Sequence, residues 1–181
     1  LMIFLKVQSL SYGYSGISLE TIERLVALYN NDVIPVVYQQ GSLGASGDLV
    51  PLAHMSLPLI GLGEVHYKGE KKSAEEVNQA LGWEPVKLQP KEGLALLNGT
   101  QFMSAYGFFC LTKAVRLSKQ SDVIAAVTID AFEGRMDQFD SKIQKVRAFK
   151  GQEATAARIR TILEGSELQQ AERKHLQDPY S

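Results

Sequence analysis

Gly41-Ser42-Leu43-Gly44-Ala45-Ser46-Gly47-Asp48-Leu49-Val50-Pro51-Leu52-Ala53-His54-Met55 is the most unusual local composition in the chain: a glycine-dense loop that runs directly into an apolar segment. Asp48 is a residue type that caps helices, and Pro51 falls in a first turn, where amide hydrogens have no intrahelical partner to lose. A buried helix is therefore expected to begin as the glycine loop ends. The apolar stretch from Leu49 to Leu62 is shorter than the roughly 20 residues a bilayer core demands. It also carries His54, Pro51 and Pro58, so it reads as a core segment and not a membrane span.

Towards the N-terminus, residues 33–38 are β-branched and interrupted by Pro35, an extended stretch. Before them, Ser18 is a natural N-cap for a helix to about Asn31, with Ile22, Leu25, Val26 and Tyr29 as its buried stripe. Leu1-Met2-Ile3-Phe4-Leu5 is apolar, but no basic residue precedes it and no small-residue cleavage pattern follows, so it does not read as a signal peptide. Towards the C-terminus, residues 61–72 form a small surface hairpin or loop. Ser73 and Glu76 make a capping box for a short exposed helix from Ala74 to Leu81, and Pro85 and Pro90 bracket a linker-like passage ending in Lys91-Glu92-Gly93.

From about Thr100 to Leu117 the apolar residues follow the helical period on almost every face, which predicts a central, nearly wholly buried helix with the lone Cys110 as a small core residue. Ser121 is read as the cap of a further helix from Asp122 to about Phe132. Ile143, Val146 and Phe149 suggest another helical turn or two. Residues 152–164 form a helix with Ile159, Ile162 and Leu163 on its apolar face and Gly165 placed to end it. Residues 166–175 read as a solvent-facing connector. The fold class expected is mainly α with little β, with no internal repeat and no composition shift that marks a domain boundary.

The 181 residues are 45% hydrophobic and 22% charged, with 19 basic against 20 acidic side chains and a net charge of −1. That balance offers no overall attraction to nucleic acid or an anionic membrane surface. A single cysteine excludes an intramolecular disulfide framework and fits a reducing, cytosolic setting. His54, His66 and His175 lack metal-ligand spacing, the glycine loop lacks the lysine of a phosphate-binding loop, and Gly61-x-Gly63 lacks the third glycine of a dinucleotide fingerprint. Neither a metal nor a nucleotide cofactor is expected.

What remains is Ala45-Ser46-Gly47. Glycine reaches backbone conformations closed to other residues, so the amide nitrogen of Gly47 can be pressed against the carbonyl carbon of Ala45. Attack there, with loss of water, closes a five-membered ring. Loss of the Ser46 hydroxyl as a second water leaves its Cβ as a methylidene conjugated to that ring, a strong carbon electrophile of a kind the natural side chains do not provide. Its natural use is β-elimination of ammonia from an α-amino acid. Alone, the tripeptide is an ordinary turn before a helix, and its neighbours carry the case.

Residues 41–55 closely resemble the signature of the aromatic amino acid ammonia-lyases, and two further segments resemble that family in the right order: Leu94-Ala95-Leu96-Leu97-Asn98-Gly99-Thr100-Gln101 and Gln177-Asp178-Pro179-Tyr180-Ser181. Glu133-Gly134, Phe139-Asp140 and Gly151-Gln152 add to the likeness, which spans essentially the whole chain. The resemblance implies an L-aspartase-like helical bundle with the loop at the start of a buried helix. It also implies that Ala45, Ser46 and Gly47 cyclise autocatalytically to 4-methylidene-imidazol-5-one, and that Asp48 supports this cyclisation or holds the loop. Asn98 is implied as a catalytic and substrate-binding residue near the prosthetic group, Gln177 as substrate-binding, and Tyr180 as both substrate-binding and catalytic. His54 is read as a packed histidine, and Tyr14 and Ser15 as a glycine-rich turn.

Within the family, the continuation Ala53-His54-Met55 and the Asn98-Gly99-Thr100-Gln101 wording are closest to the branch acting on L-histidine. That branch implies non-oxidative elimination of ammonia to trans-urocanate in histidine breakdown, by a cytoplasmic homotetramer. Sister activities on tyrosine or phenylalanine, including 2,3-aminomutases, are the nearest alternatives, and a non-catalytic helical assembly module is the alternative of another class. The chain starts at Leu1 and stops at Ser181, which reads as an internal fragment of a longer protein: 1–98 bearing the cyclising loop, 99–181 belonging to the central bundle, and the fragment alone expected to be inactive.

Overall fold

Helix α1 (Met2–Leu10) is mostly apolar, and it packs against α2 (Leu19–Asn30). Ser18 caps α2 as expected, its hydroxyl accepting from the Thr21 amide at 3.3 Å. The buried face of α2, however, is Thr21, Leu25 and Leu28, while Val26 and Tyr29 lie exposed. Leu25 and Ile22 of the expected stripe do face the core, and the Thr21 hydroxyl turns inward beside them to a buried carboxylate described below. In this computed structural model the described residues are 1–41, 48–172, 176 and 178. Two compact units are present, Leu1–Cys110 and Leu111–Ser181.

In the first unit, strand β1 (Ile34–Pro35) pairs antiparallel with β2 (Glu64–Tyr67), which pairs antiparallel with β3 (Glu70–Ser73). The β2–β3 hairpin turns through Lys68 and Gly69, both at positive φ, and is the small surface hairpin the sequence suggested. Helix α3 (Leu49–Ser56) follows Asp48 and passes into a 3-10 turn, Leu57–Ile60. Helix α4 (Ala74–Ala80) has its cap, Ser73 Oγ accepting from Glu76 N at 3.2 Å. It is not simply exposed: Ala74, Val77 and Asn78 are buried, because the helix closes over β2, β3 and the 3-10 turn. A short helix α5 (Glu92–Leu97) stands where a linker was expected to end, and it packs against α3. Leu25, Leu28, Leu52, Met55, Val65 and Leu96 form the centre of this unit's core.

Helix α6 (Gln101–Ala131) runs 31 residues without a break, and the boundary between units falls within it. The expected interruption at Ser121 is absent, since nothing there prevents helix propagation and the Ser121 hydroxyl bonds back to the Ser118 carbonyl at 2.8 Å. The expected burial is also absent. Met103, Tyr106, Phe108, Phe109, Leu111 and Leu117 are exposed, Cys110 is exposed, and only Asp122 and Ala126 of the whole helix are buried. Apolar periodicity reports what a face is made of, not whether this chain supplies its cover.

In the second unit α7 (Ser141–Arg147) and α8 (Lys150–Ile162) pack together, and Ala126, Ile159 and Leu163 form a small core. Ile143, Val146, Phe149 and Ile162 remain exposed. Gly165, at φ +85°, is where the chain turns after α8. The connector holds one turn, α9 (Glu167–Gln170), whose cap Ser166 also donates to Asp130 at 2.6 Å.

Candidate active site

Residues 42–47, and with them Ala45, Ser46 and Gly47, lie outside the described residues, as do Gln177 and Tyr180. Gly41 and Asp48, which flank the loop, are described. On one side Gly41 has φ +116°, and a Cβ there would stand 3.0 Å from Val50 Cγ1, so the backbone lies against the first turn of α3 in a way only glycine permits. On the other side Asp48 is 2% exposed. Its amide donates to the Gly99 carbonyl at 3.3 Å, and its carboxylate accepts from the Met103 amide at 2.8 Å.

The Asp48 carboxylate makes no capping bond to its own helix, α3. It serves the first turn of α6 instead, where a negative charge meets unpaired amides and the positive end of a helix dipole. Asp48 thus bonds both Gly99 of the Asn98-Gly99 corner and the first turn of α6 that follows it.

Asn98 closes α5 with extended backbone, φ −83° and ψ 137°. Its side-chain amide donates to the Leu94 carbonyl at 3.2 Å, and the residue is exposed. Gly99 follows at φ +139°, a conformation L side chains rarely adopt, and a Cβ there would collide with the Gln101 side chain at 2.1 Å. The Gln101 Oε1 is buried with no hydrogen-bond donor among the described residues.

Two buried charged groups hold the two ends of α5, and sequence reading missed both. The carboxylate of Glu92 accepts from the Ser18 amide at 2.6 Å, the Gln89 amide at 2.6 Å and the Thr21 hydroxyl at 3.2 Å. Burial acts to raise its pKa, but the bonds from Ser18, Gln89 and Thr21 together outweigh it and hold the carboxyl below the usual range. The Lys6 ammonium donates to the Ala95 and Asn98 carbonyls at 3.0 and 2.6 Å. Burial lowers it to about 8. A charged residue in a mostly apolar α1 was the available signal for Lys6, and Glu at a first helical position was the signal for Glu92.

His54 is packed as expected: its Nδ1 accepts from the Tyr38 amide at 3.4 Å, and the two rings meet edge to face. Tyr14 is almost fully exposed. In the last motif, Asp178 is a third missed anchor, its carboxylate accepting from the Arg135 amide at 2.6 Å just beyond the end of α6. Among the described residues no group of three or more His, Cys, Asp or Glu stands together to hold a metal ion, and no helix is long and apolar enough to cross a membrane.

A mainly helical chain with Asp48 tied by its amide to an Asn-Gly corner is the arrangement to compare with known proteins. The chain belongs to the aromatic amino acid lyase family, whose profile matches residues 1–181. It is 49% identical over 181 residues to the histidine ammonia-lyase of Symbiobacterium thermophilum, covering 99% of this chain and 36% of that one. The crystal structure of histidine ammonia-lyase from Trypanosoma cruzi matches 88% of this chain and 31% of its own length, at 37% identity and a TM-score of 0.79. Ergothionase from Treponema denticola, an ergothioneine-degrading enzyme, matches 98% of this chain and 36% of its own at 27% identity and a TM-score of 0.92. The neighbours are helical lyase folds, in agreement with the expected fold class. The chain spans about a third of the length of the curated relatives it matches.

Proposed function

We propose that this chain is the loop-bearing segment of a histidine ammonia-lyase, converting L-histidine to trans-urocanate and ammonia. The observation that carries the reading is the double tether of Asp48, which holds the exit of the Ala45-Ser46-Gly47 loop against the Asn98-Gly99 corner. Ring closure within a tripeptide requires two backbone atoms held in attack geometry, and orientation of this kind is worth roughly 7 to 11 kcal/mol in well-arranged intramolecular reactions. The close approach at Gly41 and the buried bonds of Asp48 fix both ends of the loop, and the tripeptide has the carbonyl, hydroxyl and amide that the prosthetic group is made from. The residues therefore fit 4-methylidene-imidazol-5-one.

That group, when formed, supplies a carbon electrophile for the substrate's amine. Asn98 and Gln177 orient the amino acid by hydrogen bonding, and Tyr180 contributes hydrogen bonding and proton handling. Asp48 holds the loop and takes no part in substrate contact. The elimination needs no oxidant or reductant, since ammonia and an alkene account for every atom of the substrate. We place the enzyme in the cytoplasm as a homotetramer whose subunits cover the apolar faces of α6.

The test is made on the full-length protein that carries this sequence. Intact mass should be lower than the sequence mass by two waters, and L-histidine should yield urocanate, followed by its ultraviolet absorbance. Ser46→Ala should abolish both. A mass equal to the plain sequence would leave a helical assembly module as the better reading. Turnover of tyrosine or phenylalanine with histidine untouched would move the substrate to a sister branch.

A further inference from the structure

Lys6 is a buried cation for which the proposed reaction has no use. The residue lies on α1 with 1% of its surface exposed, and among the described residues no carboxylate forms an ion pair with it. Burying an unpaired charge is costly, so its partners matter. They are two carbonyls at the C-terminal end of α5, those of Ala95 and Asn98. A helix C-terminus leaves such carbonyls unpaired and carries partial negative charge, and an ammonium answers both.

The Asn98 carbonyl and the Gly99 amide belong to one planar peptide. Holding that oxygen at 2.6 Å fixes the plane in which Asn98 leaves α5 and in which Gly99 enters its positive-φ conformation. The next carbonyl, that of Gly99, receives the Asp48 amide. Lys6, the Asn98-Gly99 peptide and Asp48 are thus consecutive links. We infer that Lys6 is a positioning residue: by clamping the Asn98 carbonyl it sets the direction of the Asn98 side chain and the seat of the loop exit. The inference rests on the reading of Asn98 as a site residue.

The experiment uses the full-length protein. Lys6→Met keeps the aliphatic stem and removes the donor, and it should speed hydrogen exchange across residues 98–103 by about tenfold or more. It should lower kcat by about tenfold or more while KM moves less than about threefold, the pattern of a misplaced group rather than lost uniform binding. In the background of Asn98→Ala the same substitution should lower kcat by clearly less than in the parent, since Lys6 then has no side chain to aim and only the seat of the loop exit is left to disturb. Exchange and kcat that stay within about threefold of the parent, or losses that multiply fully in the double variant, would overturn the assignment. Should Lys6→Met not fold, Lys6→Gln, which keeps one donor, carries the same expectations at smaller size. Absence of turnover in the parent protein would defeat the functional reading alone, because the exchange measurement still reports on the clamp.

Discussion

Glu92 shows how a single side chain in this protein serves several elements. Each of its two oxygens holds a different backbone amide, Ser18 at the start of α2 and Gln89 ahead of α5, and the Thr21 hydroxyl shares the first oxygen. Glu92→Gln keeps the shape but leaves one acceptor oxygen, so an amide group must face a backbone N–H. We expect a loss of about 2 kcal/mol at neutral pH, measured by urea denaturation. The pH dependence follows from the depressed carboxyl. Its stabilisation is complete above the ordinary carboxylate pKa and is lost as pH falls through the lower folded-state value. The gap between parent and variant should therefore close in acid. The candidate site was legible at this scale only in part. Asp48 and Asn98 were readable as residue types in a recognisable pattern, but the Asp48 partner lies 55 positions away, and Lys6 reaches carbonyls 89 and 92 positions away. No local pattern encodes bonds of that range.

At the scale of elements, an ion pair links two helices of the second unit. Arg158 on α8 pairs with the carboxylate of Asp122 on α6, which is 5% exposed. Arg158→Ala leaves that carboxylate buried without its cation, and we expect about 2 kcal/mol of destabilisation. Arg158→Ala combined with Asp122→Ala should recover part of it, a double-variant cycle read by thermal unfolding. The elements themselves were legible where their determinants are local. Ser18 and Ser73 cap through amides three residues on, and Gly165 turns the chain after α8. The interruption expected at Ser121 was not found, because a serine in mid-helix satisfies its hydroxyl on the preceding turn and lets the helix continue.

For the whole molecule, the decisive feature is α6. Phe108, Leu111 and Val115 follow one another at helical spacing, all are exposed, and so are Val123, Ile124 and Val127 further along. Contiguous apolar surface of this kind drives association. The 181-residue chain should self-associate in sedimentation velocity, and Leu111→Glu with Val115→Glu should shift it towards monomer while leaving α-helical circular dichroism nearly unchanged. A chain that stays monomeric without those substitutions would remove the support for subunits covering α6. Local sequence by itself determined the helical class, the Ser18 and Ser73 caps, the hairpin and the ordered motifs, because each depends on residues a few positions apart. Tertiary structure alone decided which apolar faces are covered, and which distant backbone groups the buried charges of Lys6, Asp48 and Glu92 hold together. Burial and long-range hydrogen bonds are properties of where chain segments meet, and periodicity along the chain carries no information about that meeting.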